Sequence, residues 1–268
     1  MKEGWVEYMN DDKVEEALAE VGKEVLIDVV KPTAESIGNN LGIFVDGVMG
    51  WLGLWGEKQR LKREKKLQEY KLSIIENISK IDPQNLKEPD VNLVGPCIEA
   101  SKYYIDELYC REMFSKIIAS SCDATMENTV HPSFVNIIKQ LSPIDARFLA
   151  SLKDAITYPA VKILEHNPDG KITPYMQLII DLKENQDMFT VEEFTKLSGT
   201  VELLERLGII ILNERIIEKD YKYDKFKEHW YYKGIESLFE KESSVELLKY
   251  RIEFTNYGYD FVRSCIPT

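Results

Sequence analysis

The sequence predicts a mainly α protein: an N-terminal helical domain, then a β-hairpin and a winged-helix-like C-terminal α+β domain. Three observations carry this. Between residues 88 and 149, apolar residues recur at helical spacing behind prolines. Asn167-Pro168-Asp169-Gly170 then separates two apolar runs, which is hairpin chemistry. Farther on, Thr190 with Glu193 three residues later forms a capping pattern ahead of two short helical runs and a β-branched run. The predicted boundary falls near Thr157, giving domains 1–156 and 157–268.

Residues 14–30 (VEEALAEVGKEVLIDVV) read as an amphipathic helix capped by Asp11 or Asp12, and Pro32 interrupts it. Residues 37–56 (IGNNLGIFVDGVMGWLGLWG) set Gly38, Gly42, Gly47, Gly50, Gly53 and Gly56 among large apolar residues, Trp51 and Trp55 included. Glycine costs about 1 kcal/mol per position in an exposed helix, so this segment needs tight packing or lipid around it. Two readings stay open. In the favoured one the segment is core, with glycines at helix crossings. In the other it is a membrane-active element of about bilayer length, against which Asn39, Asn40 and Asp46 count. The flanks differ in charge: residues 1–28 hold nine acids against three lysines, and residues 57–71 hold seven bases against three acids.

From Trp55 to Ile81 the pattern is one long helix, with Leu61, Leu67, Tyr70, Ile74, Ile75 and Ile78 on the apolar face. Its basic face reads as a solvated surface rather than a phosphate site. Asp82-Pro83 ends it. Pro96, Pro132 and Pro143 are expected at first helical positions, where a missing N–H costs nothing. Met113, Phe114, Ile117 and Ile118 keep helical rhythm in the long piece 97–121, and three or four short-to-medium helices are expected over the whole stretch. Phe134, Val135, Ile137, Ile138 and Leu141 mark the next, and Ile144, Phe148, Leu149 and Leu152 a third capped by Ser142. Phe114, Phe134 and Ile138 are expected in the core.

Residues 160–166 and 171–180 form the expected hairpin. A helix from Val191, a turn at Ser198-Gly199 and a second helix closed by Gly208 follow. Residues 209–217 (IIILNERII) are expected to pair with 250–254 (YRIEF), and 256–265 to form a final helix. Residues 218–249 intervene as an insertion rich in aromatics and charge. The second helix offers Glu202, Glu205 and Arg206, and carboxylates would face phosphate, so a protein-contact or structural role is expected over DNA binding.

The chain has 268 residues, 44% hydrophobic and 30% charged, an ordinary globular composition. A net charge of −12 argues against a general binder of nucleic acid or anionic membrane. Cys97, Cys110, Cys122 and Cys265 form no metal-like spacing with the three histidines and are expected as buried free thiols. The acidic start carries no apolar signal core, so a cytoplasmic protein is expected. No phosphate loop, dinucleotide fingerprint, zinc-protease motif or nucleophile elbow is present, and no catalytic, cofactor or metal site is predicted. His131 is the most tempting single residue, but its place before Pro132 suits helix capping better.

The stretch GPCIEASKYYIDELYCREMFSKIIASSCD followed by NTVHPSFVNIIKQLSP resembles the abortive infection alpha family of bacteria. The matching features are Pro89, Gly95-Pro96, Arg111-Glu112-Met113-Phe114, His131-Pro132-Ser133-Phe134 and Gln140-Leu141-Ser142-Pro143. The resemblance implies a role in stopping phage growth at the cost of the infected cell, and implies no known reaction. The function expected from it is a non-enzymatic sensor or effector acting through protein contacts, with a phage or host factor or a second copy as partner. The alternatives are a membrane-perturbing effector using residues 37–56 and a nucleic-acid-binding winged-helix regulator.

Overall fold

The computed structural model describes residues 60–152, 157–182, 189–214, 219, 221–239 and 241–267. The expected helix over 14–30 and the glycine-rich segment 37–56 lie outside the described residues, as do 215–217 of the expected strand. The chain divides into two compact units, Met1–Val135 and Asn136–Thr268.

In the first unit, α1 (Arg60–Ser79) buries Tyr70, Ile74, Ile75 and Ile78, the spacing its sequence predicts. Asp82 follows and accepts the Gln84 N–H, so the chain turns through a 3-10 segment, Pro83–Asn85. α2 (Val91–Tyr104) starts five residues before Pro96, with Asp90 accepting the Asn92 N–H as its cap. This corrects the expectation that Pro96 opens the helix. A proline ring crowds the Cβ of the residue before it, and Gly95 has none, so the pair is tolerated inside the helix. The long piece 97–121 is divided: α3 (Leu108–Ser121) is separate from α2, and the chain turns at 105–107. α3 buries Met113, Phe114, Ile117 and Ile118.

The short α4 (Ser133–Ile138) spans the division between the units, and α5 (Pro143–Leu152) belongs to the second. Pro143 is the first residue of α5, as expected. The second unit is built on β1 (Thr157–His166), β2 (Ile172–Ile180), β3 (Ile210–Asn213) and β4 (Ser244–Phe254), a curled antiparallel sheet in the order β2-β1-β4-β3. The predicted hairpin is β1–β2. Gly170 takes φ +83°, its N–H donates to Asn167 O, and Asp169 accepts the Lys171 N–H. The predicted pairing of β3 with 250–254 is also present, from Ile210 opposite Phe254 to Asn213 opposite Arg251. β4 reaches farther than expected and pairs with all of β1, from Thr157 opposite Glu253 to His166 opposite Ser244. The hairpin and the later strands are therefore one sheet.

α6 (Val191–Phe194) and α7 (Leu197–Arg206) follow the hairpin. The turn between them is at Thr195-Lys196, three residues earlier than expected, and Ser198 and Gly199 lie in the first turn of α7. Ser198 has another use: its Oγ accepts the Leu178 N–H from the outer edge of β2, while Gln177 Nε2 donates to Phe194 O. Edge strands need such covers. Gly208 ends α7 at φ +73°, with Ile209 N–H on Leu204 O and Gly208 N–H on Glu205 O, the paired closure that glycine favours. The insertion folds into α8 (Tyr221–Asp224), a 3-10 turn (Lys225–Glu228) and α9 (Trp230–Glu236), and it buries Tyr223, Phe226 and Tyr232. α10 (Asn256–Cys265) closes the unit at the predicted bounds.

Candidate functional site

The candidate site begins with the charged pair in α3. Arg111 is buried, and its guanidinium makes two contacts: Nη2 lies 3.0 Å from Glu69 of α1, and Nη1 donates to Ile105 O. The second contact satisfies a carbonyl at the break after α2, where helix ends leave acceptors without intrahelical partners. Glu112, next in sequence, faces a line of small polar groups. Ser73 Oγ donates to Glu112 Oε2 at 2.5 Å and lies 2.8 Å from Ser115 Oγ. Asn77 Nδ2 donates to Ser115 Oγ at 3.0 Å and to Ser73 O at 2.9 Å. Each hydroxyl has one proton. If Ser73 gives its proton to the carboxylate, Ser115 must give its own to Ser73. The result is a directed chain from Asn77 through Ser115 and Ser73 to Glu112, tying α1 to α3 in one register.

His131 caps α4. Its Nδ1 accepts the Ser133 N–H at 3.1 Å and meets Ser133 Oγ at 2.5 Å, while its carbonyl accepts the Phe134 N–H. Pro132 falls between, at a position where no N–H is needed. The His131 ring also rests 6.0 Å from that of Phe134, which is fully buried. Gln140 is exposed and donates to Asn136 O.

In the second unit, Ser142 and Asp145 cap α5 reciprocally. The Ser142 N–H donates to Asp145 Oδ2 at 2.8 Å, and the Asp145 N–H to Ser142 Oγ at 3.3 Å. The other oxygen of this buried carboxylate accepts from Thr200 Oγ1 of α7 at 2.6 Å. Two residues on, Arg147 pairs with Glu193, and its guanidinium lies 5.5 Å from the centre of the Phe189 ring. Glu193 completes the capping box of α6 by accepting the Thr190 N–H at 3.1 Å. That backbone bond and the Arg147 guanidinium hold the Glu193 carboxyl below its ordinary range. Sequence spacing singled out Ser142 and Glu193; the Asp145–Thr200 and Arg147–Glu193 contacts were missed, because their partners lie 55 and 46 residues apart.

The structure thus collects Arg111 and Glu112 in one seam, His131, Pro132 and Phe134 at one cap, and Ser142 and Pro143 at another. Gly95 and Pro96 sit inside α2. Gly38, Gly42, Gly47, Gly50, Trp51 and Trp55 lie outside the described residues. The four cysteines are free and buried. Burial pushes the Cys122 thiol up to about 12 and raises Cys97 as well, the direction that keeps thiols unreactive.

Two surface features belong to the insertion. An open groove of about 510 Å³ is lined by Glu214, Tyr223, Asp224, Lys227 and residues 245–249 of β4. Nearby in sequence, His229 stacks on Phe194 with ring centres 5.0 Å apart, beside the half-exposed Trp230. His229 Nδ1 accepts the Tyr231 N–H as the cap of α9, and burial lowers the pKa of the ring. Among the described residues, no group of three or more His, Cys, Asp or Glu side chains could hold a metal ion. Among them also, no helix is long and apolar enough to cross a membrane.

A family model described as abortive infection alpha matches residues 62–265. No curated protein and no solved structure matches the chain.

Proposed function

The chain belongs to the abortive infection alpha family, and from that membership we propose that it defends a bacterium against phage as a non-enzymatic sensor or effector working through protein contacts. One observation carries the non-enzymatic part. Two of the ionisable signature residues are engaged in fastening the fold, Arg111 and Glu112 binding α1 to α3; outside the signature, Asp145 and Arg147 bind α5 to α7 and α6. A catalytic acid or base needs an accessible proton to move, and these groups face other helices.

We read α6, α7, β3, β4 and α10 as a winged-helix-like arrangement, in which the insertion enlarges the connection between the two wing strands. Glu202, Glu205 and Arg206 are exposed on α7, and Glu205 also accepts the Leu212 N–H at the outer edge of β3. An acidic second helix suits a protein partner better than a phosphate backbone. A cytoplasmic location fits four unbridged cysteines.

The test is phage challenge of cells producing the full chain, with membrane potential followed through infection. The reading expects fewer productive infections and cell death before phage release, with the potential held until late. Unchanged phage yield would end the defence reading, and early depolarisation would favour a membrane target instead.

A further inference from the structure

The sheet of the second unit leaves one stretch of backbone without a neighbour. Leu212 of β3 turns its N–H outward to Glu205. Successive residues of an antiparallel strand face alternate sides, so Ile211 and Asn213 face β4, opposite Glu253 and Arg251. By the same alternation, the N–H and C=O of Val245 and Leu247 face the side of β3, while those of Glu246 and Leu248 face β1. β3 ends at Asn213, and beyond it lies the groove lined by residues 245–249. Among the described residues, no hydrogen bond reaches the outward N–H and C=O of Val245 or Leu247.

The other edges of the sheet are stopped. On β2, Leu178 gives its N–H to Ser198, and Pro174 has none to give. On β3, Glu205 takes the Leu212 N–H. Such devices keep edges from pairing with foreign strands, and the edge at Val245 and Leu247 lacks one. It has a wall instead: Tyr223, Asp224 and Lys227 of the insertion line the same groove. An added strand would satisfy the four open backbone groups and lay alternate side chains on Val245 and Leu247. The rim also sets a charge. Glu214, Asp224 and Glu246 outnumber Lys227 and Lys249, and the Lys249 ammonium rests 5.6 Å from the centre of the Tyr223 ring. On a chain of net charge −12, that rim suits a segment with basic ends.

We propose that the β4 edge at Val245 and Leu247 is a strand-addition site for an extended segment of a partner protein, alternating in β-branched residues and flanked by lysine or arginine. This rests on the protein-contact reading above and names the chemistry of the partner.

Amide exchange followed by NMR on the full chain tests it, with and without a synthetic peptide that alternates threonine and valine between terminal lysines. In the free chain the Val245 and Leu247 amides should exchange about a hundredfold faster than those of Glu246 and Leu248. The peptide should slow the fast pair about tenfold, and a version with terminal glutamates should bind at least fivefold more weakly. Leu247→Pro removes an outward N–H, leaves the ladder to β1 intact and should abolish the effect at Val245. Val245→Lys, which sets like charge against the peptide, is the second variant where proline disturbs the fold. A fast pair already protected in the free chain means that the edge is filled and overturns the site. So does a peptide that slows neither amide, or that binds both variants as it binds the parent. Equal binding of the glutamate version overturns the basic flanks. In phage challenge, the folded variant should lose protection at equal protein level; full protection with binding lost overturns the role in defence. If the parent chain gives no protection, the defence reading fails, and exchange and binding judge the site alone.

Discussion

Gly258 meets the backbone of Ile209 so closely that an added β-carbon would lie 1.9 Å from the Ile209 carbonyl oxygen. That oxygen already accepts the Thr255 N–H, and Thr255 Oγ1 caps α10 through the Gly258 N–H while donating to Gly208 O. The end of α7 and the start of α10 are thus one joint. Gly258→Ala has backbone, not a flexible side chain, to displace, and should cost about 3 kcal/mol or more in a denaturant melt. A variant as stable as the parent would show that the joint is looser than described.

The bond from Thr200 to Asp145 makes a second joint. It is short, buried and ends on a carboxylate, so Thr200→Val should cost about 1.5–3 kcal/mol. A double-mutant cycle with Asp145→Ala isolates the pair, because alanine leaves Thr200 no acceptor and the lost Ser142 cap is common to both Asp145 variants and cancels. A coupling energy near zero would mean that Thr200 matters only for its volume.

Glu193 gives a pH dependence with a definite sign. Its folded pKa lies below the ordinary 4.5, first through the Thr190 backbone N–H and then through Arg147. The stability it contributes is complete above 4.5 and is lost as pH falls through the lower folded value. Thermal melts between pH 6 and pH 3 should therefore fall less steeply for Glu193→Gln than for the parent. Identical slopes would remove Glu193 from the acid response.

Phe134 is fully buried beside the His131 cap. Phe134→Ala should lower stability by about 3–5 kcal/mol. An unchanged melting temperature would mean that the ring packs against nothing rigid.

What the sequence made legible was local. The hairpin turn at Asp169-Gly170, the Thr190–Glu193 box, the Gly208 closure and the Ser142 and His131 caps each depend on residues within five positions. Such chemistry is written in consecutive residues. The place of the break at 105–107 was not legible, because the helical rhythm runs through it undisturbed and the Arg111 bond to Ile105 O exists only in the fold. Pro96 misled because a proline can begin a helix or sit within one, and the capping Asp90 decides which. The joining of β1 to β4 was not foreseen. Both strands alternate acceptably, but the register spans a separation of 78 to 96 residues, from His166–Ser244 to Thr157–Glu253. Gly258 gave no signal either, since only the folded neighbour at Ile209 makes a side chain impossible.

The sheet order β2-β1-β4-β3 has a consequence for how the chain is made. β4 is the last strand to leave the ribosome, yet it lies in the middle and is bordered on both sides by strands made earlier. Until residues 244–254 emerge, the β1–β2 hairpin presents one long open edge, and β3 has nothing to pair with. At a synthesis rate of roughly 5–20 residues per second, the hairpin waits several seconds for its neighbour. During that interval the growing chain is at its stickiest, and a ribosome stalled between 180 and 244 would hold an unpaired strand exposed to every other nascent chain nearby.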